Sequence, residues 1–251
     1  MQFARLILDP PAAGSWNMAV DQALLESTNL TGQVTIRFYA WEEPTLSLGY
    51  FQNSIDRLGH QASLGCPLVR RSTGGGAIIH DQEITYSLCL PCAQRWSIAT
   101  EDLYWVVHRS LCSLLNDQEI DAQLFSEATA QPPRKDPPPK SFLCFQRRSA
   151  GDLILDGHKI AGSAQRRKKG ALLQHGSLLM VRSTCAVELP GINDLVSNGP
   201  LNRQNFLADW IAKLAVGLDL EPVVGELTSE ERRAAEENEA TFLSATWNQK
   251  R

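Results

Sequence analysis

Three consecutive glycines, Gly74-Gly75-Gly76, stand between two β-like runs, Leu68 to Arg70 and Ala77 to His80. Glycine loses more backbone freedom on folding than any other residue, so a triplet here is costly unless the chain needs a positive φ or a close backbone approach. Two readings fit. One is a loop where backbone comes up against a ligand, with Arg70 or Arg71 offering charged donors. The other is a tight hairpin with a bulge. A Walker phosphate loop is excluded, because it needs Gly-x-x-x-x-Gly-Lys. A dinucleotide fingerprint is excluded too, because a strand and not a helix follows the glycines.

The rest of the chain reads as α+β. A short strand, Phe3 to Leu8, precedes a helix over about 16–26, whose Met18, Ala19, Leu24 and Leu25 share a face. Runs at 34–39, 45–48, 68–70, 77–80 and 84–90 are short and β-branched or alternating, with Gly, Pro and Asn between them. No long helices interleave them, so the expected sheet is mixed and largely antiparallel, with flanking helices. A second helix is expected over about 100–115, and strands resume at 152–155, 159–160 and 171–180. Asn202 is placed to cap a helix reaching about Gly217, and Thr228-Ser229-Glu230-Glu231 has capping-box spacing for a last one, so helices close the chain over about 202–247. Between these parts, residues 130–140 hold five prolines in eleven positions, which reads as an extended, mobile loop. β-rich sequence on both sides of it argues for one domain over residues 1–251.

Composition limits the function classes. The 251 residues carry a formal net charge of -4, so no basic excess points to nucleic acid, and no polybasic run to a membrane surface. No run approaches the roughly 18 apolar residues of a membrane span. The N-terminal apolar stretch is broken by Asp9-Pro10-Pro11 too early for a signal peptide. The expectation is a cytoplasmic protein whose six cysteines are reduced thiols.

Two further segments carry chemistry-bearing residues. In Gly157-His158-Lys159-Ile160-Ala161-Gly162-Ser163-Ala164, a hairpin signal, Asp156-Gly157, is followed by a lysine among small residues that let a ligand approach. A surface lysine on a hairpin is the plainer alternative. In Leu173-Gln174-His175-Gly176, a histidine interrupts an apolar strand, which is most often a satisfied core residue.

Taken together and in this order, Arg70 to His80, Gly157 to Ala164 and His175-Gly176 resemble the motifs of the biotin/lipoate attachment superfamily. Trp16-Asn17-Met18-Ala19 and Pro44 to Gly49 are similar to it as well, so the likeness spans roughly residues 15–180. It implies a catalytic domain like the core of class II synthetases and biotin ligases. It implies that Lys159 contacts the acyl carbonyl or activated carboxylate. It also implies that Gly74, Gly75 and Gly76 line the acyl site with Arg70 just before them, and that His80, Gly162, Ser163, Ala164 and His175 belong to the substrate site.

Two chemistries occur on such a domain. A ligase activates free lipoate or octanoate and needs ATP and magnesium. A transferase takes octanoate already activated on acyl carrier protein, needs neither, and uses a nucleophile of its own. Cys144, in Ser141-Phe142-Leu143-Cys144-Phe145, resembles the acyl-accepting cysteine of the superfamily's octanoyltransferases. The segment Ala150-Gly151-Asp152 lacks the Asn-Asp pair of typical ligases. The expectation is therefore an octanoyltransferase without cofactor or metal. Its donor would be octanoyl-acyl carrier protein. Its acceptor would be the lysine of a lipoyl domain, in a glycine cleavage H protein or a 2-oxoacid dehydrogenase E2. A thiolate is the competent nucleophile and is favoured near cations, which Lys159, Lys140, Arg147 or Arg148 would supply. His80 or His175 is the candidate base for the acceptor amine. The alternatives are an ATP-dependent lipoate–protein ligase and a protein that only binds lipoate or biotin. Cys185 is the second candidate nucleophile, Cys89-Leu90-Pro91-Cys92 a weak one. The run Arg166 to Lys169 is either a solvated hairpin end or a docking patch for an acidic partner, and Trp41 is a guess for the pocket rim.

Overall fold

A computed structural model describes residues 1–92, 100–126 and 141–250. The proline-rich segment 130–140, with Lys140, lies outside the described residues.

Two sheets carry the architecture. The large one has eight strands in the order β11-β1-β2-β6-β10-β9-β8-β7, and the small one has three, β4-β3-β5. The strands are β1 Gln2–Ala12, β2 Thr35–Trp41, β3 Thr45–Leu48, β4 Leu68–Arg70, β5 Ile78–His80, β6 Glu83–Pro91, β7 Ala122–Leu124, β8 Leu153–Leu155, β9 His158–Lys168, β10 Ala171–Leu179 and β11 Leu220–Val224. The α-helices of the described residues are α1 Gly14–Thr31, α2 Thr100–Asp117, α3 Ile192–Leu195, α4 Arg203–Leu218, α5 Ser229–Leu243 and α6 Ala245–Asn248. Five of the seven pairings in the large sheet are antiparallel. Only β1 with β2 and β1 with β11 are parallel. The expected mixed, largely antiparallel sheet with flanking helices is what the chain forms.

Alternation along the strands sorts the core into two layers. Ile36 and Phe38 of β2, with Ile84, Tyr86, Leu88 and Leu90 of β6, face α2 and α4, meeting Leu103, Val107, Leu111, Phe206 and Trp210. Residues of opposite parity, Tyr39, Trp41 and Cys89, face α1 and α5, meeting Met18, Leu24, Leu25, Ala235 and Phe242. A period of two puts successive side chains on opposite faces, so one sheet can be covered on both sides. Leu46, Leu48, Ala77, Ile79, Leu143 and Phe145 form a third cluster around the small sheet, beside the site.

Helix α1 extends past the expected 16–26 at both ends, strand β7 was not expected, and three further expectations change. Strand β1 runs through Pro10-Pro11 to Ala12, with a register break between Leu8 and Pro11. A proline lacks the ladder N–H, and a bulge accommodates that loss. Strand β9 is eleven residues long rather than two. Strand β11, unexpected from its sequence, adds in parallel to β1. The caps agree: Asn202 accepts from the N–H groups of Gln204 and Asn205, and Thr228 with Glu231 forms the reciprocal capping box. Among the described residues, no helix is long and apolar enough to cross a membrane.

Candidate active site

The glycine triplet and the cysteine segment are laced together by backbone. Ala77 N–H donates to Phe142 O at 3.1 Å, and Cys144 N–H donates to Ala77 O at 2.7 Å. Gly75 takes a φ of +92°, and a Cβ on Gly49 would stand 2.0 Å from its carbonyl oxygen. The triplet thus serves a close backbone approach, and Gly76 packs on the Cys144 backbone. Cys144 then opens a single 3-10 turn, Cys144–Gln146, and is half-buried.

Lys159 reaches this thiol from β9. The Asp156-Gly157 turn has φ of 45° and 71°, as a two-residue hairpin requires, and delivers the strand. The Lys159 side chain lies across Gly162, where an added Cβ would be 2.6 Å from Cε and 2.8 Å from Nζ. The small residue after the lysine is therefore the space its own chain occupies. Nζ ends 3.8 Å from Cys144 Sγ and 2.8 Å from Asp152 Oδ2, with both members of this ion pair buried.

Beside the pair opens a narrow cavity. Met18, Tyr39, Ile78 and Phe145 give it apolar wall, and Gly75, Arg71, His80, Cys144, Gly162, Ser163, Ala164 and His175 complete most of the rest. Cys144 lines this mostly apolar slot and the Lys159 ammonium, itself outside the lining, stands 3.8 Å from its sulfur, an arrangement that suits a hydrocarbon chain with a reactive carbonyl at its head.

The basic residue facing the slot is Arg71, which corrects the expectation for Arg70. Arg70 is fully buried, and its guanidinium donates to the carbonyls of Gly49, Gln52, Trp247, Asn248 and Lys250, tying the chain's end to the small sheet. Arg71 donates to Ser47 O and Oγ, Gly74 O and Gly76 O, and burial pushes its pKa down to about 10. Of the three glycines only Gly75 lines the slot, and Gly74 and Gly76 do not.

Both expected histidines line the slot, but each has both ring nitrogens engaged. His175 sits between Asp21 Oδ2 (3.0 Å) and Thr73 Oγ1 (2.6 Å). His80 sits between Glu83 Oε1 (2.6 Å) and Ser47 Oγ (2.7 Å), and its ring stacks on Trp41 at 3.9 Å. Trp41 backs His80 and does not rim the slot. Burial pushes the His80 pKa below its usual value, more than the Glu83 carboxylate raises it, so the ring is neutral near pH 7. Neither ring presents a free nitrogen to a substrate amine unless Thr73 or Ser47 turns away.

Neither rival cysteine, Cys185 or Cys89, lines the slot, although Cys185 packs against the same cluster as Cys144. Cys185 packs in the small-sheet cluster and hydrogen-bonds with Cys66, whose thiol is pushed up to about 12 by burial and by that neighbour. Cys89 is buried in β6, and burial holds its thiol well above the ordinary range. Within the basic run, Arg166 donates to Ser72 O and Lys168 pairs with Glu26 at 2.8 Å.

Several participants escaped the sequence reading. Asp21 is wholly buried and receives Arg37, Tyr39, Ser87 and His175. Its signal was a carboxylate between Met18 and Leu25 on the apolar face of α1. His108 of α2 donates from Nδ1 to Gly151 O at 2.7 Å, while Nε2 lies 2.7 Å from Ser163 Oγ.

Burial pushes the His108 pKa down to about 4, against an unfolded value near 6.5. A folded pKa below the unfolded one means stability is fully present above about pH 6.5 and is lost as pH falls toward 4. Urea unfolding should therefore show the wild type losing roughly 2–3 kcal/mol more than His108→Gln between pH 7 and pH 4.5. Equal losses would contradict a neutral buried imidazole.

The lipoyl protein ligase A/B catalytic domain family matches residues 13–187. The octanoyltransferase LipM of Brevibacillus brevis is 32% identical over 278 aligned positions, covering 100% of both chains. That of Kyrpidia tusciae is 33% identical over 277 positions, covering 99% of each. Among solved structures, T. acidophilum Ta0514 with bound lipoic acid superposes with a TM-score of 0.77 at 21% identity, covering 99% of this chain and 100% of that one. Lipoate-protein ligase A bound with ATP gives 0.77 at 21% identity, covering 99% of each. At such identities the structural likeness is one of fold.

Proposed function

We propose that this chain, which belongs to the lipoyl protein ligase A/B catalytic domain family, works as one catalytic domain through a Cys144 acyl-enzyme. The overall reaction is octanoyl transfer for protein lipoylation, and the relatives that match the whole chain are named octanoyltransferases. Octanoyl-acyl carrier protein is the proposed donor. The lysine of a lipoyl domain is the proposed acceptor, in a glycine cleavage H protein or a 2-oxoacid dehydrogenase E2. A cytoplasmic setting follows from those partners.

The observation that supports the route most is Lys159 Nζ standing 3.8 Å from Cys144 Sγ at an apolar slot. In the first step the Cys144 thiolate attacks the thioester carbonyl. A carbon–sulfur bond forms, the donor's carbon–sulfur bond breaks, and the carrier thiolate leaves with a proton from solvent. In the second step the neutral acceptor amine attacks octanoyl-S-Cys144. The amide forms, the departing Cys144 thiolate takes up the amine's proton, and its release to solvent restores the thiolate and offsets the proton taken by the carrier. That route suits a site where His80 and His175 have both ring nitrogens engaged. In both steps the Lys159 ammonium donates to the tetrahedral oxyanion. The octanoyl chain lies along Met18, Tyr39 and Ile78. The thioester is already activated, so no ATP or magnesium enters.

The test is a transfer assay with octanoyl-acyl carrier protein and a lipoyl domain, in the absence of ATP and in the presence of EDTA. Octanoylation of the lipoyl lysine is expected. Modification only from free octanoate with ATP and magnesium would replace this reading with the ligase one. Binding of octanoate with no modification under either condition would make the chain a binding protein.

A further inference from the structure

Among its described residues helix α2 adds none to the wall of the slot, yet two of its side chains, one turn apart, are tied to the residues that do the proposed chemistry. Tyr104 OH donates to Asp152 Oδ1 at 2.5 Å. The other oxygen of that carboxylate receives Lys159 Nζ at 2.8 Å and the Ser149 N–H at 2.7 Å. His108 donates to the carbonyl of Gly151, the residue before Asp152, and its ring packs on Tyr104 with centroids 4.1 Å apart. Gly151 has a φ of +86°, and an added Cβ would stand 2.9 Å from the Tyr104 ring. The Gly151-Asp152 turn is therefore moulded on the face of α2.

We propose that Tyr104 is a positioning residue for acyl transfer, holding Asp152 so that the carboxylate shares the Lys159 ammonium with the Cys144 sulfur instead of sequestering it. The proposal rests on the Cys144 and Lys159 roles given above. Asp152 is fully buried, so each oxygen needs a donor. With Tyr104 on Oδ1, the carboxylate has one oxygen left for the lysine, and Nζ can sit between Oδ2 and Sγ. Without that hydroxyl, Oδ1 is a buried acceptor lacking its donor, and the nearest mobile donor is the ammonium itself. Lys159 then swings to span both oxygens and withdraws from Sγ. Burial and the Asp152 charge both hold the Tyr104 phenol far above its ordinary range, so it remains an O–H donor throughout the working pH range. His108 fixes the same turn through its backbone, which keeps Asp152 from following the lysine.

Tyr104→Phe removes one oxygen and keeps the ring that packs on Gly151 and His108. Two readouts are taken on this variant and the wild type, with melting temperature as the check on folding. The first is single-turnover formation of the octanoyl adduct from octanoyl-acyl carrier protein at varied donor concentration. The second is the rate of Cys144 alkylation by iodoacetamide at pH 7, followed by peptide mass spectrometry. Loss of one hydrogen bond to a charged group predicts a maximal adduct rate lower by about tenfold, with an unchanged half-saturating donor concentration, and slower alkylation by a similar factor. A merely structural tyrosine would lower the melting temperature while leaving both rates of the folded protein unchanged, and that result overturns the proposal. Alkylation needs no acyl donor. If the wild type forms no adduct, the acyl-enzyme reading fails on its own, and the alkylation comparison still decides the role of Tyr104.

Discussion

Lys159→Met should lower octanoyl transfer by about 10²- to 10³-fold, the usual effect of deleting one preorganised oxyanion donor. The same change should also destabilise the fold. Asp152 is fully buried, and its cation partner would be gone. Breaking a buried pair from one side costs about 3–5 kcal/mol. The two effects are separable. Adding Asp152→Asn removes the orphaned charge, so the double variant should recover most of the melting temperature and none of the rate. If the double variant regained activity, the lysine would act only by neutralising Asp152, and its assignment to the oxyanion would fall.

The second large effect concerns stability away from the thiol. Asp21→Leu should cost about 3–5 kcal/mol, because Arg37 is fully buried and loses one of its two carboxylates. Tyr39, Ser87 and His175 lose an acceptor in the same step. For a chain of this size, a kilocalorie moves the melting temperature by roughly 2–4 °C, so a fall of about 6–20 °C is expected by calorimetry. The pH dependence has a definite sign. Burial alone would raise the Asp21 pKa, but the His175 hydrogen bond and the Arg37 charge outweigh it and lower the value. A lowered carboxylate pKa gives stability that is present above the unfolded value and lost as pH falls through the folded one. Asp21→Leu should remove that part of the acid sensitivity. A melting temperature within a degree or two of wild type would show that this network does not hold α1 to β2.

What the sequence revealed and what it hid follow one division. Local chemistry was legible. Asn202 and Thr228 cap their helices as read, because a cap is decided by residues within one turn. Asp156-Gly157 turns as read, because its φ values are a property of two residues. The mixed sheet with flanking helices was legible from the short, β-branched or alternating runs. Non-local pairing was not. Strand β11 meets β1 from the far end of the chain, and nothing within Leu220 to Val224 marks that partner. The choice between Arg70 and Arg71 failed for a related reason. Arg70 ends β4 and Arg71 is the first residue beyond it, so the one that meets the glycine loop depends on where the strand stops and on sheet register. Cys144 and Lys159 were found by resemblance, and their contact is made by topology, since the cysteine turn is laced to the glycine loop above β9. Asp152 was noticed only as part of a missing ligase motif, although it anchors the lysine. Tyr104 and His108 flank the apolar stripe of α2, where a sequence gives no reason to prefer a buried polar role over an exposed one.

Intact-mass spectrometry after incubation with octanoyl-acyl carrier protein, without ATP, tests the central claim most directly. The wild type should gain one octanoyl group that hydroxylamine removes, and Cys144→Ala should gain none. An adduct of the same mass on Cys144→Ala, or no adduct on a wild type that still octanoylates a lipoyl domain, would contradict the account and leave Cys144 a spectator.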